Sequence, residues 1–120
     1  MNTPTARQLT EKKCLPCEGG VEAYSPQRAR QQVQQLGHWS LSEDGLQICR
    51  QWKLKNFVQA MRLLNRCAEL AEEEQHHPDF HLTGYRLLRI ELTTHAIGGL
   101  SENDFILAAK IDAAAEGLDL

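Results

Sequence analysis

No stretch of this chain approaches the roughly 18 consecutive apolar residues of a membrane-spanning helix. Residues 1–13 are mostly polar and lack the apolar centre of a secretory signal. These shortages set aside the membrane and secreted classes and leave a cytoplasmic protein as the expectation. Basic charge is not in excess either, since 13 Lys and Arg face 16 Asp and Glu, for a formal net charge of -3. Without an overall basic field, neither nucleic acid nor an anionic membrane is expected as the main partner. Internal repeats and low-complexity tracts are lacking, and 120 residues fit one domain with a single core.

Cysteine occurs four times, but without the pattern that a metal or disulfide framework requires. Nothing marks secretion, so Cys14, Cys17, Cys49 and Cys67 are expected as reduced thiols. Cys14-Leu15-Pro16-Cys17 has metal-ligand spacing, yet structural zinc takes four ligands and no second pair follows. A redox role would need a βαβ setting that is absent. The expectation is therefore an unmetallated, flexible N-terminal arm over residues 1–24, broken by Glu18-Gly19-Gly20. The folded domain is expected over 25–120.

What is present is hydrophobic periodicity that changes along the chain. Ser25-Pro26 reads as an N-cap with proline at the first helical position, opening a short helix with Val33 and Leu36 inward and Gly37 at its end. His38 to Leu41 is a short strand candidate. Glu43-Asp44-Gly45 supplies turn chemistry, after which Leu46, Ile48, Trp52 and Leu54 alternate, with Arg50 interrupting the apolar face. From Asn56 to Gln75 the period becomes helical, with Phe57, Ala60, Met61, Leu64, Ala68 and Ala71 predicted as the core stripe. Phe80 and Leu82, then Leu88, Ile90 and Leu92, alternate about a Thr83-Gly84 turn. Continuing that strand would put His95 on the face opposite the apolar set. Ser101-Glu102-Asn103-Asp104 has the form of a capping box, so Asp104 has a structural role whether or not it meets a ligand. The last helix carries an apolar run, Phe105 to Ala109, that suits a core or a subunit interface. The order of elements gives an α+β fold, an antiparallel sheet covered on one side by helices.

Between the two halves lies Glu72-Glu73-Glu74-Gln75-His76-His77-Pro78. Pro78 cannot continue a helix and disfavours helical geometry at His77, so the two imidazoles stand at a helix end. The helix dipole and three glutamates favour the imidazolium there, whereas burial and mutual repulsion oppose it, and local sequence leaves that balance open.

Glu72-x-x-x-His76-His77-Pro78, Tyr85, Thr94-His95 and Gly99-Leu100-Ser101-x-x-Asp104 together resemble the signature of the pterin-4a-carbinolamine dehydratases. With Trp39 and Lys55-Asn56-Phe57-x-x-Ala60 upstream, the resemblance spans roughly residues 36 to 111. It implies a four-stranded antiparallel sheet with three helices, a homodimer or homotetramer, and no metal or redox cofactor. The implied reaction is dehydration of a 4a-hydroxytetrahydropterin to the quinonoid dihydropterin, a hydro-lyase step in tetrahydropterin recycling. Carried over by motif, His76, His77 and His95 are the catalytic candidates, and histidine suits proton transfer near neutral pH. Gln75, Thr93, Thr94 and Ala96 are placed against the pterin, with Glu72, Pro78, Asp104 and Trp39 in support. The chain departs from the animal pattern at Gln75, where an acidic residue is usual, and at Asn103, where arginine is usual. The segment between His77 and Tyr85 also looks one residue longer. Relatives of this fold act as dimerisation cofactors or hydroxylase-linked regulators, so a regulatory protein-binding module is the alternative reading. Retention of all three histidines favours the enzyme.

Overall fold

The computed structural model of the protein describes residues 3–16 and 21–120. At its centre are β1 (Ser40–Leu41), β2 (Ile48–Lys53), β3 (Asp79–Thr83) and β4 (Leu87–Leu92). They form one antiparallel sheet in the order β1-β2-β4-β3. The pleat sends alternate side chains to opposite faces. Register therefore collects Ile48 opposite Leu92, Trp52 opposite Leu88 and Phe80 opposite Ile90 on one side. That face is the core, while Gln51, His81 and Arg89 on the other face are exposed. This is the expected α+β architecture.

The helices are α1 (Ala6–Thr10), α2 (Pro26–Val33), α3 (Phe57–Glu74) and α4 (Glu102–Gly117), with a single 3-10 turn at His95–Ile97. The sequence reading gave three helices and missed α1. Thr5 caps it by exchanging hydrogen bonds with Gln8, Leu9 is fully buried, and the helix packs on α4. The stretch expected as a free arm is thus seated on the domain over residues 3–16, its five-residue helix too short for periodicity to reveal. Cys17 and the glycine break at Gly19-Gly20 lie outside the described residues.

Two faces also differ from expectation. On α3 the buried residues are Ala60, Leu63, Cys67, Leu70, Ala71 and Glu74, while Phe57 and Ala68 of the predicted stripe are exposed. The inward face is rotated by about 100°, one residue's turn, because this helix carries two apolar stripes and sequence alone does not rank them. On α4 every residue from Asn103 to Ala109 is buried. The apolar run Phe105 to Ala109 is consequently core and offers no interface. Arg50, the interruption of the β2 face, reaches α4 and donates to Asp112 Oδ1 at 2.6 Å, and Trp39 Nε1 donates to the same oxygen at 2.8 Å.

Candidate active site

α3 ends where Gln75 adopts the left-handed conformation, φ 53° and ψ 40°, with the His76 amide bonded back to Ala71 O. That cap, followed by Pro78, turns the chain from helix into β3 and leaves His76 and His77 on different sides of the turn. His76 points inward, with a side chain 5% exposed, and its Nε2 lies 2.6 Å from Asp104 Oδ1. His77 points outward, 61% exposed, with Nε2 2.6 Å from Glu72 Oε2.

Asp104 divides its two oxygens between helix and site. Oδ2 accepts from the Ser101 amide at 3.0 Å, which closes the expected capping box of α4, and from the Thr94 hydroxyl at 2.8 Å. Oδ1 is left for His76. A carboxylate only accepts, so His76 donates through Nε2 and its tautomer is set by Asp104. Thr94 is buried, its hydroxyl also 2.8 Å from Ser101 Oγ. One carboxylate therefore holds both His76 and Thr94, the immediate neighbours of His77 and His95. That shared bond brings together two segments far apart in sequence.

β4 stops at Leu92, so His95 sits on the 3-10 turn, which the Thr94 and Gly99 bridge closes and Gly98 leaves with φ 67°. Its exposure agrees with the expectation of a histidine outside the core, though by a turn and not by strand parity. His95 borders an open cleft of about 340 Å³ with Ser42, Asp44, Leu46, Gln47, Thr93 and Gly98. The β1–β2 turn forms the far wall, fixed by the Thr93 hydroxyl donating to Leu46 O at 2.6 Å. In that turn the Ser42 hydroxyl and the Leu46 amide hold the Asp44 carboxyl below its usual range.

The predicted residues divide accordingly. Asp104 gathers His76 and Thr94, with His77, Pro78, Thr93, His95 and Ala96 adjoining them along the chain. Gln75 is exposed and donates to Glu72 O at 2.7 Å, and Ala96 is exposed on the 3-10 turn. Thr94 is spent on Asp104, so its hydroxyl braces the site from within. Trp39 belongs to a different cluster: its Asp112 partner is eight residues along α4 from Asp104, about 12 Å of helix. It stands edge-on to Trp52, ring centres 6.2 Å apart. Tyr85 lies at the β3–β4 tip, opposite the strand ends that carry the histidines. Ser42, Asp44 and Gln47 line the cleft beside His95, and turn chemistry was their only signal in the sequence. Among the described residues, no group of three or more His, Cys, Asp or Glu is placed to hold a metal ion.

The sequence model of the family described as pterin 4 alpha carbinolamine dehydratase matches residues 22–114. The chain belongs to this family. A provisionally named pterin-4-alpha-carbinolamine dehydratase of Halorhodospira halophila is 50% identical over 105 residues, covering 88% of this chain and 95% of the relative. The mitochondrial pterin-4-alpha-carbinolamine dehydratase 2 of Arabidopsis thaliana is 46% identical over 107 residues, 87% of this chain and 57% of the relative. Among solved structures, a transcriptional coactivator/pterin dehydratase from Brucella melitensis superposes with a TM-score of 0.73 at 26% identity, covering 78% of this chain and 99% of that one. The dehydratase family match begins after the α1 segment, which is thus outside the matched region. No helix among the described residues is long and apolar enough to cross a membrane.

Proposed function

We propose that the protein dehydrates a 4a-hydroxytetrahydropterin to the quinonoid dihydropterin, as one step of tetrahydropterin recycling, by proton transfer through histidines. The observation that carries this reading is the Asp104 carboxylate bonded at once to His76 and Thr94. The reaction removes the proton on N5 and expels the C4a hydroxyl as water, so it needs one group to accept a proton and one to deliver it. His95, exposed at the cleft, takes the N5 proton. The His76 and His77 pair supplies the proton to the departing hydroxyl, with Asp104 holding His76 in one tautomer and Glu72 bonded to His77. Gln75, Thr93 and Ala96 lie on the chain segments flanking these rings and contact the pterin. A stopped-flow assay with chemically generated 4a-hydroxytetrahydropterin tests this directly: the protein accelerates loss of the carbinolamine above its spontaneous rate. A rate equal to background with folded protein sinks the proposal.

A homo-oligomer in the cytoplasm is part of the same proposal. The supporting surface is the second stripe of α3, where Phe57 and Ala68 are exposed and Met61 and Leu64 half-buried. Two copies meeting on this stripe would cover its apolar side chains. Sedimentation at micromolar concentration yields a species larger than 13.6 kDa; a monomer alone speaks against it. The Brucella structure's description as a coactivator keeps the regulatory binding role as the second reading.

A further inference from the structure

We infer that residues Lys12–Leu15 of the N-terminal segment are a positioning strap that sets the His76 to Asp104 contact. The inference rests on the dehydratase reading for its kinetic consequence, but its geometry stands apart from it.

His76 and Asp104 belong to different elements, the link after α3 and the first turn of α4. Their 2.6 Å separation thus depends on how the end of α3 is held against the start of α4. The amides of successive strap residues bond one side each. The Cys14 amide donates to Glu74 Oε1 at 2.8 Å, two residues before His76. The Leu15 amide donates to Asn103 Oδ1 at 2.9 Å, and Asn103 Nδ2 donates back to Leu15 O at 2.7 Å, directly beside Asp104. The Cys14 thiol donates to Asn103 O at 3.5 Å, and Lys12 Nζ pairs with Glu102 at 3.1 Å. Across the gap, Lys110 Nζ closes on the other oxygen of Glu74 at 2.7 Å.

The surroundings make these contacts firm. Glu74 and Asn103 are buried, and leaving such groups unpaired costs more than the bonds add when made. Burial pushes the Cys14 thiol up to about 12, with Glu74 adding to the effect, so it remains a neutral donor. Its seat is secured by α1, whose Leu9 is fully buried against the domain. Two-sided amide pairing fixes direction as well as distance, which a surface staple with one bond would not do. An error of about 1 Å in a reacting geometry costs up to roughly 100-fold in rate, so a strap bonded to both sides of the pair bears on kcat more than on substrate binding.

The test uses the full chain with 15N-labelled histidine. Asn103→Ala removes both bonds to Leu15. Leu15→Pro removes the amide donor and constrains the backbone at Leu15 and Cys14, at a residue whose side chain is exposed, and Leu15→Ala keeps that donor as its control. Asn103→Ala and Leu15→Pro shift the His76 ring resonances and lower kcat by about 10-fold, with KM changed by less than about 2-fold. Leu15→Ala leaves both as in the parent protein. The Asn103→Ala, Leu15→Pro double variant is no worse than the poorer single, because both break one contact. Folded variants that lose thermal stability yet keep the parent His76 resonances and kcat overturn the inference, and additive losses in the double do the same. If Asn103→Ala does not fold, Leu15→Pro against Leu15→Ala decides alone. Should the parent protein show no dehydratase activity, the functional proposal falls, while the His76 resonances still judge the strap.

Discussion

His76 and His77 are adjacent, and each holds a carboxylate at 2.6 Å, but the two contacts are not equivalent. The His76 and Asp104 side chains are 5% and 0% exposed, and those of His77 and Glu72 are 61% and 73%. Distance alone would rank them alike. In the buried pair, loss of one partner strands a polar group away from water, so the contact is costly to break whatever its net worth when intact. In the exposed pair, water and salt replace either partner at little cost. The buried contact can define geometry, and the exposed one leaves its ring free to reorient toward a substrate.

The largest effect separates catalysis from folding. Replacing exposed His95 with Ala should lower kcat by about 10²- to 10⁴-fold, the range for positioned proton transfer, while the melting temperature stays near that of the parent. His76→Ala should lower kcat to a similar degree and also destabilise the fold, because Asp104 loses its Oδ1 partner. Rates must be corrected for spontaneous dehydration. Near-normal kcat in both folded variants makes the histidines structural and turns the choice toward the regulatory reading.

Next in size is Asp104→Ala, which cuts the buried pair, the α4 cap and the Thr94 anchor together. Leaving a buried donor such as the His76 ring nitrogen or the Thr94 hydroxyl without its acceptor typically costs about 1–3 kcal/mol, read here by urea unfolding. A loss under about 1 kcal/mol would show that the buried and exposed pairs are energetically alike after all.

This convergence on Asp104 marks how far sequence reasoning reached. The capping box was legible because it is local, four residues in register, and so were the Ser25-Pro26 start, the Asn56 to Gln75 helix and both hairpins. Asp104 as the bond between His76 and Thr94 was not, since it joins segments 28 and 10 residues apart through a tertiary fold. The choice of His76, His77 and His95 as catalytic candidates came from the family resemblance alone. The α3 face was misjudged because Phe57 and Leu63 are equally apolar letters, and only packing against α4 decides between them. Glu74 reads in the sequence as one of three glutamates in an acidic run, and nothing local signals that Lys110 and the Cys14 amide await it.

Acid sensitivity sharpens that last contrast. Burial raises the Glu74 carboxyl, but the Cys14 amide and Lys110 outweigh it, so the folded value lies below the usual 4.5. A depressed carboxylate contributes stability that is fully present above its unfolded value and lost as pH falls through the folded one. Unfolding free energy should therefore drop more steeply below about pH 4.5 in the parent than in Glu74→Gln. Parallel acid limbs for the two proteins would remove Glu74 from the account.

The smallest effect is expected at the exposed pair, and it is the one that tests the comparison most directly. Glu72→Gln keeps a hydrogen-bonding group at the same position and removes only charge. With both side chains largely in water, the contact is worth about 0–1 kcal/mol, and 0.5 M salt should screen its electrostatic part because the Debye length falls to roughly 4 Å. The variant should unfold within that margin of the parent, and added salt should narrow the gap. A stability loss approaching that of Asp104→Ala, persisting in salt, would mean that His77 and Glu72 are covered in the assembled protein, and the α3 surface of a second copy is the place to look for what covers them.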